Sequence, residues 1–242
     1  MKGMNIRTIE IIAHRGAPTE APENTISSFQ LAAEAGADWI EFDVRGTSDG
    51  RAVVIHDAKL DRTTSGHGRV RNKTERELKE LDAGSWFSPD FKDERIPTLD
   101  EALEWSKGSG VPVHIEFKDR GIEEFVIDRV RDHGLTGAVA FSSFNLDQLM
   151  KVRTMETAAR LAPIIIAYPR IGAAAEKMAP EFIHLWSFYT LTRRQVETAG
   201  ENHIDINAWL VDSPGLLKRV AARGVRGIIT NRARQMHSII KG

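Results

Sequence analysis

The regular alternation of short apolar strands with amphipathic helices is the feature that most limits the folds open to this chain. Apolar runs of strand length predict strands at residues 9–13, 39–44, 111–117, 138–141, 161–167, 182–186, 206–211 and 225–230. Strands that alternate with helices form parallel sheets, and eight such units close into a (β/α)₈ TIM barrel. We therefore predict this α/β fold. An open doubly wound sheet is the alternative, although no Gly-rich dinucleotide turn supports it.

Helical periodicity and capping residues define the segments between the strands. Either Asn24 or Thr25 is expected to cap the first helix. Further helices are predicted over residues 74–81, 99–106, 122–132, 146–155, 173–178, 192–201 and 214–223, with a final one from residue 233. A short strand at residues 52–55 and a turn-rich stretch at residues 58–95 break the alternation. We therefore predict one domain over residues 1–242, with residues 58–95 as a small insertion after the second strand.

Charge and composition exclude several classes of partner. Among the 242 residues Lys and Arg balance Asp and Glu to a net charge of −1, so we expect neither a nucleic-acid partner nor stable membrane association. No segment reaches the roughly 20 apolar residues of a membrane span, and the run at residues 9–13 is too short for a signal peptide. The absence of cysteine excludes disulfides and thiolate metal sites. We expect a cytoplasmic protein, and no apolar helix seam indicates its oligomeric state.

The predicted strand at residues 39–44 carries two acidic side chains, where a buried parallel strand is normally apolar throughout. Side chains alternate between the faces of a strand, so Glu41 and Asp43 share one face and Ile40 and Phe42 lie on the other. Two buried carboxylates on one face repel each other unless a cation lies between them. A surface strand with a polar outer face is the alternative.

A second strand of the same design, at residues 111–117, carries Glu116 near its end. In barrels of this type the active site lies at the C-terminal ends of the strands. Neighbouring parallel strands lie about 4.8 Å apart, so Glu41, Asp43 and Glu116 are expected to converge. Three carboxylates without sulfur ligands suit one divalent cation, Mg²⁺ or Ca²⁺, better than zinc.

Two histidines and two cations flank the predicted carboxylate cluster. His14 and His56 each follow directly on a predicted strand, and two histidines can divide the roles of general base and general acid. Arg15 and Lys118 place positive charge beside the carboxylates, as the non-bridging oxygens of a phosphate would require. Together these residues indicate phosphodiester cleavage. The alternative is an inward salt-bridge cluster of Glu116 with Lys118 or Arg15.

The other histidines are assigned no catalytic role. His114 lies lower on the inward face of its strand, where it could be a packed barrel residue. We expect the remaining ones in loops or at helix ends, with solvated or structural roles: His67, His133, His184, His203 and His237.

Motifs along most of the chain resemble those of one enzyme family. The similar segments are residues 14–16, 22–25, 36–44, 56–66, 81–84, 96–99, 115–118 and 227–230. By these motifs the chain resembles the glycerophosphodiester phosphodiesterases, which form part of a superfamily of phospholipase C-like phosphodiesterases. The resemblance implies a barrel with a small insertion. It also implies hydrolysis of glycerophosphodiesters, such as glycerophosphocholine or glycerophosphoethanolamine, to sn-glycerol 3-phosphate and an alcohol.

The resemblance further implies roles for individual residues. The implied roles are metal binding by Glu41, Asp43 and Glu116, acid–base catalysis by His14 and His56, and phosphate binding by Arg15 and Lys118. Trp209 and Phe144 are expected to border the glycerol pocket, and Trp209 is alternatively a plain core aromatic. In the mechanism implied, the glycerol 2-hydroxyl of the substrate attacks phosphorus and expels the alcohol. Water then opens the resulting cyclic phosphate, and the sequence leaves open which histidine acts first as the base.

Two positions at the rim of the predicted barrel depart from the family pattern. Asp212 stands where the family usually has asparagine, and Asn231 stands where it usually has aspartate. Both departures leave the metal and histidine set intact, so we expect them to bear on head-group preference rather than on the reaction.

Two other functions remain as alternatives. A related barrel phosphodiesterase of the lysophospholipase D type, acting on lysophospholipids, would be favoured by an exposed apolar lip. Trp86, Phe87 and Phe91 of the insertion could provide one, although we expect these rings to pack the insertion onto the barrel. A catalytically inactive phosphodiester-binding barrel would be expected to lack one of the histidines or acids, and none is missing.

Overall fold

A closed barrel of parallel strands forms the centre of the molecule, as the alternation of elements predicts. The computed structural model describes residues 6–166, 177–186 and 191–242. In these ranges the strands are β1 (Glu10–His14), β2 (Trp39–Gly46), β3 (Ala52–Val54), β4 (Val113–Phe117), β5 (Val139–Ser143), β6 (Arg160–Ile165), β7 (Phe182–Trp186), β8 (Asp205–Trp209) and β9 (Gly227–Thr230). β1 pairs with both β2 and β9, which closes the sheet, and β3 alone is antiparallel, at the edge of β2. The predicted TIM barrel is confirmed.

Helices follow the strands and pack on the outside of the barrel. Among the described residues they are α1 (Ile26–Glu34), α2 (Glu75–Lys79), α3 (Leu99–Ser109), α4 (Glu123–Asp132), α5 (Leu146–Met155), α6 (Arg193–Glu201), α7 (Pro214–Ala221) and α8 (Ala233–Ile240). None of these helices has the length and apolar character needed to cross a bilayer. Thr25, rather than Asn24, caps α1, since its side chain accepts a hydrogen bond from the Ser28 backbone amide. The helix predicted at residues 173–178 lies mainly outside the described residues.

Alternating side chains divide the apolar residues of the barrel into an outer and an inner core. On β2, Ile40, Phe42 and Val44 face outward and join the large apolar cluster between the strands and the helices. Glu41 and Asp43 alternate with them and face the interior, as the strand period predicts. A smaller apolar cluster fills the interior with Ile12, Trp39, Ala140, Ala162, Phe182 and Ile229. The polar groups nearer the C-terminal strand ends therefore lie next to this packed apolar cluster.

The predicted insertion has a small core of its own. Aliphatic side chains form this core: Val53, Ile55, Leu60, Val70, Leu78, Ala83 and Ile96. Trp86, Phe87 and Phe91 pack against one another, with ring centroids 5.8 Å apart for the first pair and 5.6 Å apart for the second. Trp86 remains 39% exposed. The aliphatic side chains, which include Val53 of β3, thus attach the insertion to the sheet. That the three rings also pack the insertion onto the barrel stays a prediction.

Candidate active site

Three carboxylates meet at the C-terminal ends of β2 and β4. The two strands pair in a register that places Asp43 beside Glu116 and Glu41 beside His114. One carboxylate oxygen from each of Glu41, Asp43 and Glu116 lies within 4.8 Å of the other two. All three residues are buried, with exposed fractions of 3%, 0% and 7%. The structure therefore brings together the three acids that the sequence predicts as metal ligands.

The raised pKa values of Glu41 and Glu116 indicate that protein groups do not fully compensate the negative charge of these two acids. Burial, followed by repulsion from Asp43, raises the pKa of Glu41 to about 8 and that of Glu116 to about 7. Burial also acts to raise the pKa of Asp43, but Lys118 and Arg15 outweigh it and lower that pKa. Within the described part of the chain, the buried Oε1 of Glu41 has no hydrogen-bond partner. A divalent cation fits this donor set, because it would supply positive charge and use that oxygen as a ligand.

Two cationic side chains border the acids. Lys118 Nζ lies 3.0 Å from Asp43 Oδ1 and also contacts Glu116. Arg15 Nε lies 3.2 Å from Asp43 Oδ2, and the Arg15 backbone amide donates to Glu41 Oε2 at 3.0 Å. Burial acts to lower the pKa of both cations, but the neighbouring carboxylates raise it overall, so both stay charged. The alternative of a salt bridge between Glu116 and Lys118 is therefore also realised. This salt bridge does not use Glu41 Oε1, which stays available to bind a metal.

His14 ends β1 with one ring nitrogen towards the acids. Its Nε2 lies 3.9 Å from Glu41 Oε2, and its Nδ1 lies 2.7 Å from Oδ1 of Asn231. Burial and the positive charge of Arg15 lower the pKa of His14, so the ring is neutral at pH 7. A neutral imidazole can accept a proton, as a general base must.

His56 follows β3 and is held through both its side chain and its backbone. Its Nδ1 lies 2.7 Å from Asp57 Oδ1, and its backbone carbonyl accepts a hydrogen bond of 2.7 Å from Arg45 Nε. Burial lowers the pKa of His56, although Asp43 opposes the shift. The side chain is 32% exposed, so the ring edge opposite Asp57 can meet a substrate in the cleft.

A chain of ion pairs connects His56 with Arg15 by way of the insertion. Arg62 donates from Nε to Asp57 Oδ2 at 2.6 Å, and from Nη1 and Nη2 to the two oxygens of Glu23 at 2.8 and 2.7 Å. Glu23 Oε1 also accepts a hydrogen bond of 2.8 Å from Arg15 Nη1. The hydrogen bond from Arg62 lowers the pKa of Asp57, so that carboxyl is ionised. The motifs that carry the family resemblance include Asp57, Arg62 and Glu23, but no feature of the sequence predicts these contacts.

Asn24 is a further residue of the site that sequence reasoning missed. It is buried and has a positive φ of 60°. Its Nδ2 donates to Asp43 Oδ2 at 2.8 Å, and its Oδ1 accepts from the Asp43 backbone amide at 3.2 Å. Asparagine tolerates this left-handed conformation and offers both a donor and an acceptor, so it orients Asp43. The motif at residues 22–25 was the available signal, although it predicts only a helix cap.

The charged residues share a cleft of about 110 Å³ with a group of apolar side chains. β1, β2, β4 and the segments that follow β1, β3 and β4 contribute the polar lining: His14, Arg15, Glu41, His56, Glu116 and Lys118. The other strands and the residue that follows β5 contribute the largely apolar lining: Phe144, Ile164, His184, Trp209 and Ile229. Phe144 and Trp209 contact each other edge-to-face, with ring centroids 5.9 Å apart. The two aromatics predicted to border the glycerol pocket therefore line the same cleft as the acids.

The sequence of this chain and the structure of its barrel both match those of one known protein family. Residues 14–235 match the family model described as "Glycerophosphoryl diester phosphodiesterase family". The chain belongs to this family. As a member of the glycerophosphoryl diester phosphodiesterase family it is a hydrolase of phosphoric diesters.

Individual relatives of this family agree over nearly the whole chain. A Bacillus subtilis relative is 38% identical over 233 residues, which cover 91% of this chain and 93% of that protein. A glycerophosphodiester phosphodiesterase from Caldanaerobacter subterraneus is 36% identical over 237 residues, which cover 96% of this chain and 97% of that protein. The structure of an Oleispira antarctica phosphodiesterase in complex with the product sn-glycerol-3-phosphate matches with a TM-score of 0.88 and 29% identity. That match covers 96% of this chain and 97% of the other.

One histidine that the sequence places in a loop or at a helix end lies instead inside the barrel. His184 is the central residue of β7 and is 2% exposed. Its neighbours Ile183 and Leu185 belong to the outer core, so strand alternation turns His184 inward, and this parity was the signal that could have placed it. Burial lowers its pKa to about 3, so the ring is neutral. His114 is packed in the interior as expected, with its ring centroid 4.9 Å from that of His184.

Asp212 and Asn231, the two residues that depart from the family pattern, contact each other directly. Asp212 Oδ2 accepts a hydrogen bond of 2.6 Å from Asn231 Nδ2. Asp212 Oδ1 accepts one of 2.7 Å from the Asn231 backbone amide and one of 2.9 Å from Thr230 Oγ1. Asn231 also contacts His14. The exchange of an acid and an amide between positions 212 and 231 therefore changes the hydrogen-bonding environment of that histidine.

Proposed function

We propose that this protein hydrolyses glycerophosphodiesters, such as glycerophosphocholine or glycerophosphoethanolamine, to sn-glycerol 3-phosphate and an alcohol, with one divalent cation, Mg²⁺ or Ca²⁺. The observation that carries the proposal is the buried cluster of Glu41, Asp43 and Glu116 in one cleft with His14 and His56. Family membership supports the reaction class. The related structure that holds sn-glycerol-3-phosphate supports the product.

The three acids are proposed to hold the cation. Their oxygen-only donor set suits Mg²⁺ or Ca²⁺. The raised pKa values of Glu41 and Glu116 reflect burial and mutual repulsion, and a divalent charge would relieve the repulsion. When bound, such an ion would offset phosphate charge and lower the pKa of a coordinated hydroxyl.

His14 and His56 are proposed as the acid–base pair. One histidine would take the proton of the glycerol 2-hydroxyl, whose oxygen then forms a bond to phosphorus. The other would protonate the alcohol oxygen as its bond to phosphorus breaks. With the two roles reversed, the same pair would activate the water that opens the cyclic phosphate, and acid–base catalysis of this kind contributes about 10²- to 10⁴-fold in rate.

Arg15 and Lys118 are proposed to bind the non-bridging phosphate oxygens. Their side chains are 16% and 13% exposed, so their charges act in a partly dry site, where electrostatic interactions are stronger than in water. Glu23 accepts a hydrogen bond from Arg15 Nη1 at 2.8 Å, which fixes the direction of the guanidinium group. Two oriented cations beside the carboxylate cluster suit a phosphodiester, which carries one negative charge.

The apolar lining of the cleft is proposed to receive the glycerol unit. Phe144 and Trp209 form one corner of it, and Ile164 and Ile229 complete the lining near them. Trp209 Nε1 is buried and, within the described ranges, has no hydrogen-bond partner. It is therefore available to donate to a substrate hydroxyl, while the aliphatic side chains contact the carbon atoms.

An exposed apolar edge of the cleft favours a second candidate, the hydrolysis of lysophospholipids. Phe144, Ile166 and Trp186 lie at the ends of β5, β6 and β7 and are 44%, 45% and 37% exposed. Trp186 stacks on Trp209 of the cleft, with ring centroids 6.3 Å apart. Apolar surface that continues from a cleft can bind an acyl chain. These side chains at the strand ends, together with the exposed Trp86 of the insertion, would offer the apolar lip that this function requires.

The release of glycerol 3-phosphate from glycerophosphocholine tests the proposal. We expect turnover that EDTA abolishes and that Mg²⁺ or Ca²⁺ restores. Turnover that EDTA leaves unchanged would contradict the metal requirement. Turnover of lysophosphatidylcholine, with none of glycerophosphocholine or glycerophosphoethanolamine, would favour the second candidate.

A further inference from the structure

We propose that Asp212 and Asn231 act together to fix the tautomer of His14, so that Nδ1 keeps its hydrogen and Nε2 exchanges a proton with the substrate. Both are positioning residues, because they act on the reaction only through His14. The inference rests on the proposed function, since it gives His14 a role in proton transfer. The tautomer itself can nevertheless be measured without any turnover.

The hydrogen bonds around Asp212 define which way the Asn231 side chain faces. The Asp212 carboxylate faces three donors, namely Thr230 Oγ1 at 2.9 Å, the Asn231 backbone amide at 2.7 Å and Asn231 Nδ2 at 2.6 Å. An ionised carboxylate only accepts hydrogen bonds. The amide group of Asn231 must therefore point its NH₂ towards Asp212, because its carbonyl oxygen in that place would face another acceptor.

The orientation of Asn231 in turn decides which nitrogen of His14 carries the hydrogen. With its NH₂ on Asp212, Asn231 presents Oδ1 to His14 Nδ1 at 2.7 Å. A carbonyl oxygen only accepts, so Nδ1 must be the donor. This conclusion holds for the neutral ring and for the protonated ring alike. Nε2 is therefore the nitrogen that gains or loses a proton, and it lies 3.9 Å from Glu41 Oε2, on the side of the acids.

The two histidines of the cleft are consequently oriented by different chemistry. His56 Nδ1 faces the carboxylate of Asp57 at 2.7 Å, whereas His14 Nδ1 faces a neutral amide, and the charge of Asp212 lies one residue further away. Both arrangements turn Nε2 away from the orienting group. A carboxylate at position 231 with an amide at position 212 would make the same contacts with His14, so the two side chains should be exchangeable together but not singly.

Three variants test this coupling. In Asp212→Asn, residue 231 faces an amide that offers both a donor and an acceptor, so the side chain of Asn231 is free to turn and present NH₂ to His14 Nδ1. In Asn231→Asp, two carboxylates meet where Asp212 Oδ2 and Asn231 Nδ2 are now 2.6 Å apart. We expect Asp212→Asn to lower kcat/KM by at least about tenfold, since a wrong histidine tautomer can cost about 10⁴-fold. We expect a drop of similar size in Asn231→Asp, because repulsion between the two carboxylates would displace side chain 231 from His14. In the double variant Asp212→Asn/Asn231→Asp, kcat/KM should recover at least about tenfold over either single variant.

The tautomer is read directly from the ¹⁵N chemical shifts of His14 in labelled protein at neutral pH. We expect Nδ1–H in the wild type and in the double variant, and a gain of Nε2–H in Asp212→Asn. Asp205→Asn is the matched control, because it makes the same chemical change at the other end of β8, on a side chain that is 56% exposed and 3.9 Å from Arg226. That control should keep the wild-type rate and the wild-type His14 signals, and thermal unfolding should show that all variants are folded.

The outcomes separate this inference from the proposed function. An Asp212→Asn variant with wild-type kcat/KM and an unchanged Nδ1–H tautomer would overturn the inference. So would a double variant that does not fold or recovers no activity, because it restores the acid–amide contact. A wild type that turns over no glycerophosphodiester would refute the proposed function instead, and the ¹⁵N spectra of the same proteins would then decide the tautomer alone.

Discussion

Replacing Arg62 with alanine should impair catalysis although this side chain belongs to the insertion and does not line the cleft. Arg62 makes three hydrogen bonds of 2.6 to 2.8 Å, one to Asp57 and two to Glu23. Asp57 in turn orients the ring of His56, and Glu23 orients the guanidinium group of Arg15. Removal of Arg62 therefore loosens a proposed catalytic residue and a proposed phosphate ligand at once.

The size of the effect follows from the geometry and exposure of the contacts. Hydrogen bonds between charged groups contribute about 1.5 to 3 kcal/mol each when well shielded. The Arg62 side chain is 44% exposed, so solvent screening reduces each contact to the range of about 0.5 to 1 kcal/mol. The three contacts together then contribute about 1.5 to 3 kcal/mol. If all of this stabilises the transition state, its loss corresponds to a drop of about 10- to 150-fold in kcat/KM. We expect kcat to fall through His56 and KM to rise through Arg15.

Steady-state kinetics of three variants test this reasoning. Arg62→Ala should show the drop, and Arg62→Lys should remain low, because lysine keeps the charge but lacks the planar fork that contacts two carboxylates. Arg51→Ala is the control, since Arg51 is 52% exposed and pairs with Glu75 at 3.4 Å. Wild-type kinetics in Arg62→Ala, or full activity in Arg62→Lys, would refute the reasoning.

Three further predictions concern the carboxylates and the histidines. His14→Ala and His56→Ala should each lower kcat by about 10²- to 10⁴-fold with the fold intact, and wild-type rates in folded protein would refute their assignment. Glu41→Ala should weaken binding of Mg²⁺ or Ca²⁺ in calorimetric titrations, and an unchanged isotherm would count against the metal site. In EDTA the protein should lose thermal stability as pH rises from about 5 to 8. The reason is that Glu41 and Glu116 have folded-state pKa values of about 8 and about 7, above the reference value of 4.5, so the folded state holds more protons in this range. Glu41→Gln should lessen the loss, and a loss as large as in the wild type would contradict this account.

The barrel and its acid cluster could be predicted because both follow from local periodicity. Strand alternation assigns Glu41 and Asp43 to the inner face, and the parallel register of β2 and β4 then brings Glu116 beside Asp43. The same rule could have placed His184, had it been applied to β7. β1 pairs with β9, so a strand from near residue 10 and one from near residue 230 complete the same sheet. The single domain over residues 1–242 stays a prediction.

The contacts that orient the site could not be predicted, because they depend on loop geometry and not on periodicity. Arg62 reaches Glu23 across 39 positions of sequence, and nothing in the pattern of the insertion specifies that distance. The two departures at positions 212 and 231 are visible in the sequence, but their contact with each other arises only where the ends of β8 and β9 lie side by side. Side-chain partners of this kind require coordinates.

The closure of the barrel by β1 and β9 has a consequence for when the site can form. His14 and Asn231 are 217 positions apart in sequence, so the orienting partner of His14 is synthesised long after His14 itself. Contacts of such separation also form late and slowly in folding, because the loop between them must first be ordered. A nascent or truncated chain that ends before β9 would carry every proposed metal ligand and both histidines and still leave His14 unoriented. Activity would therefore report that synthesis has passed Asn231 and that β9 has paired with β1.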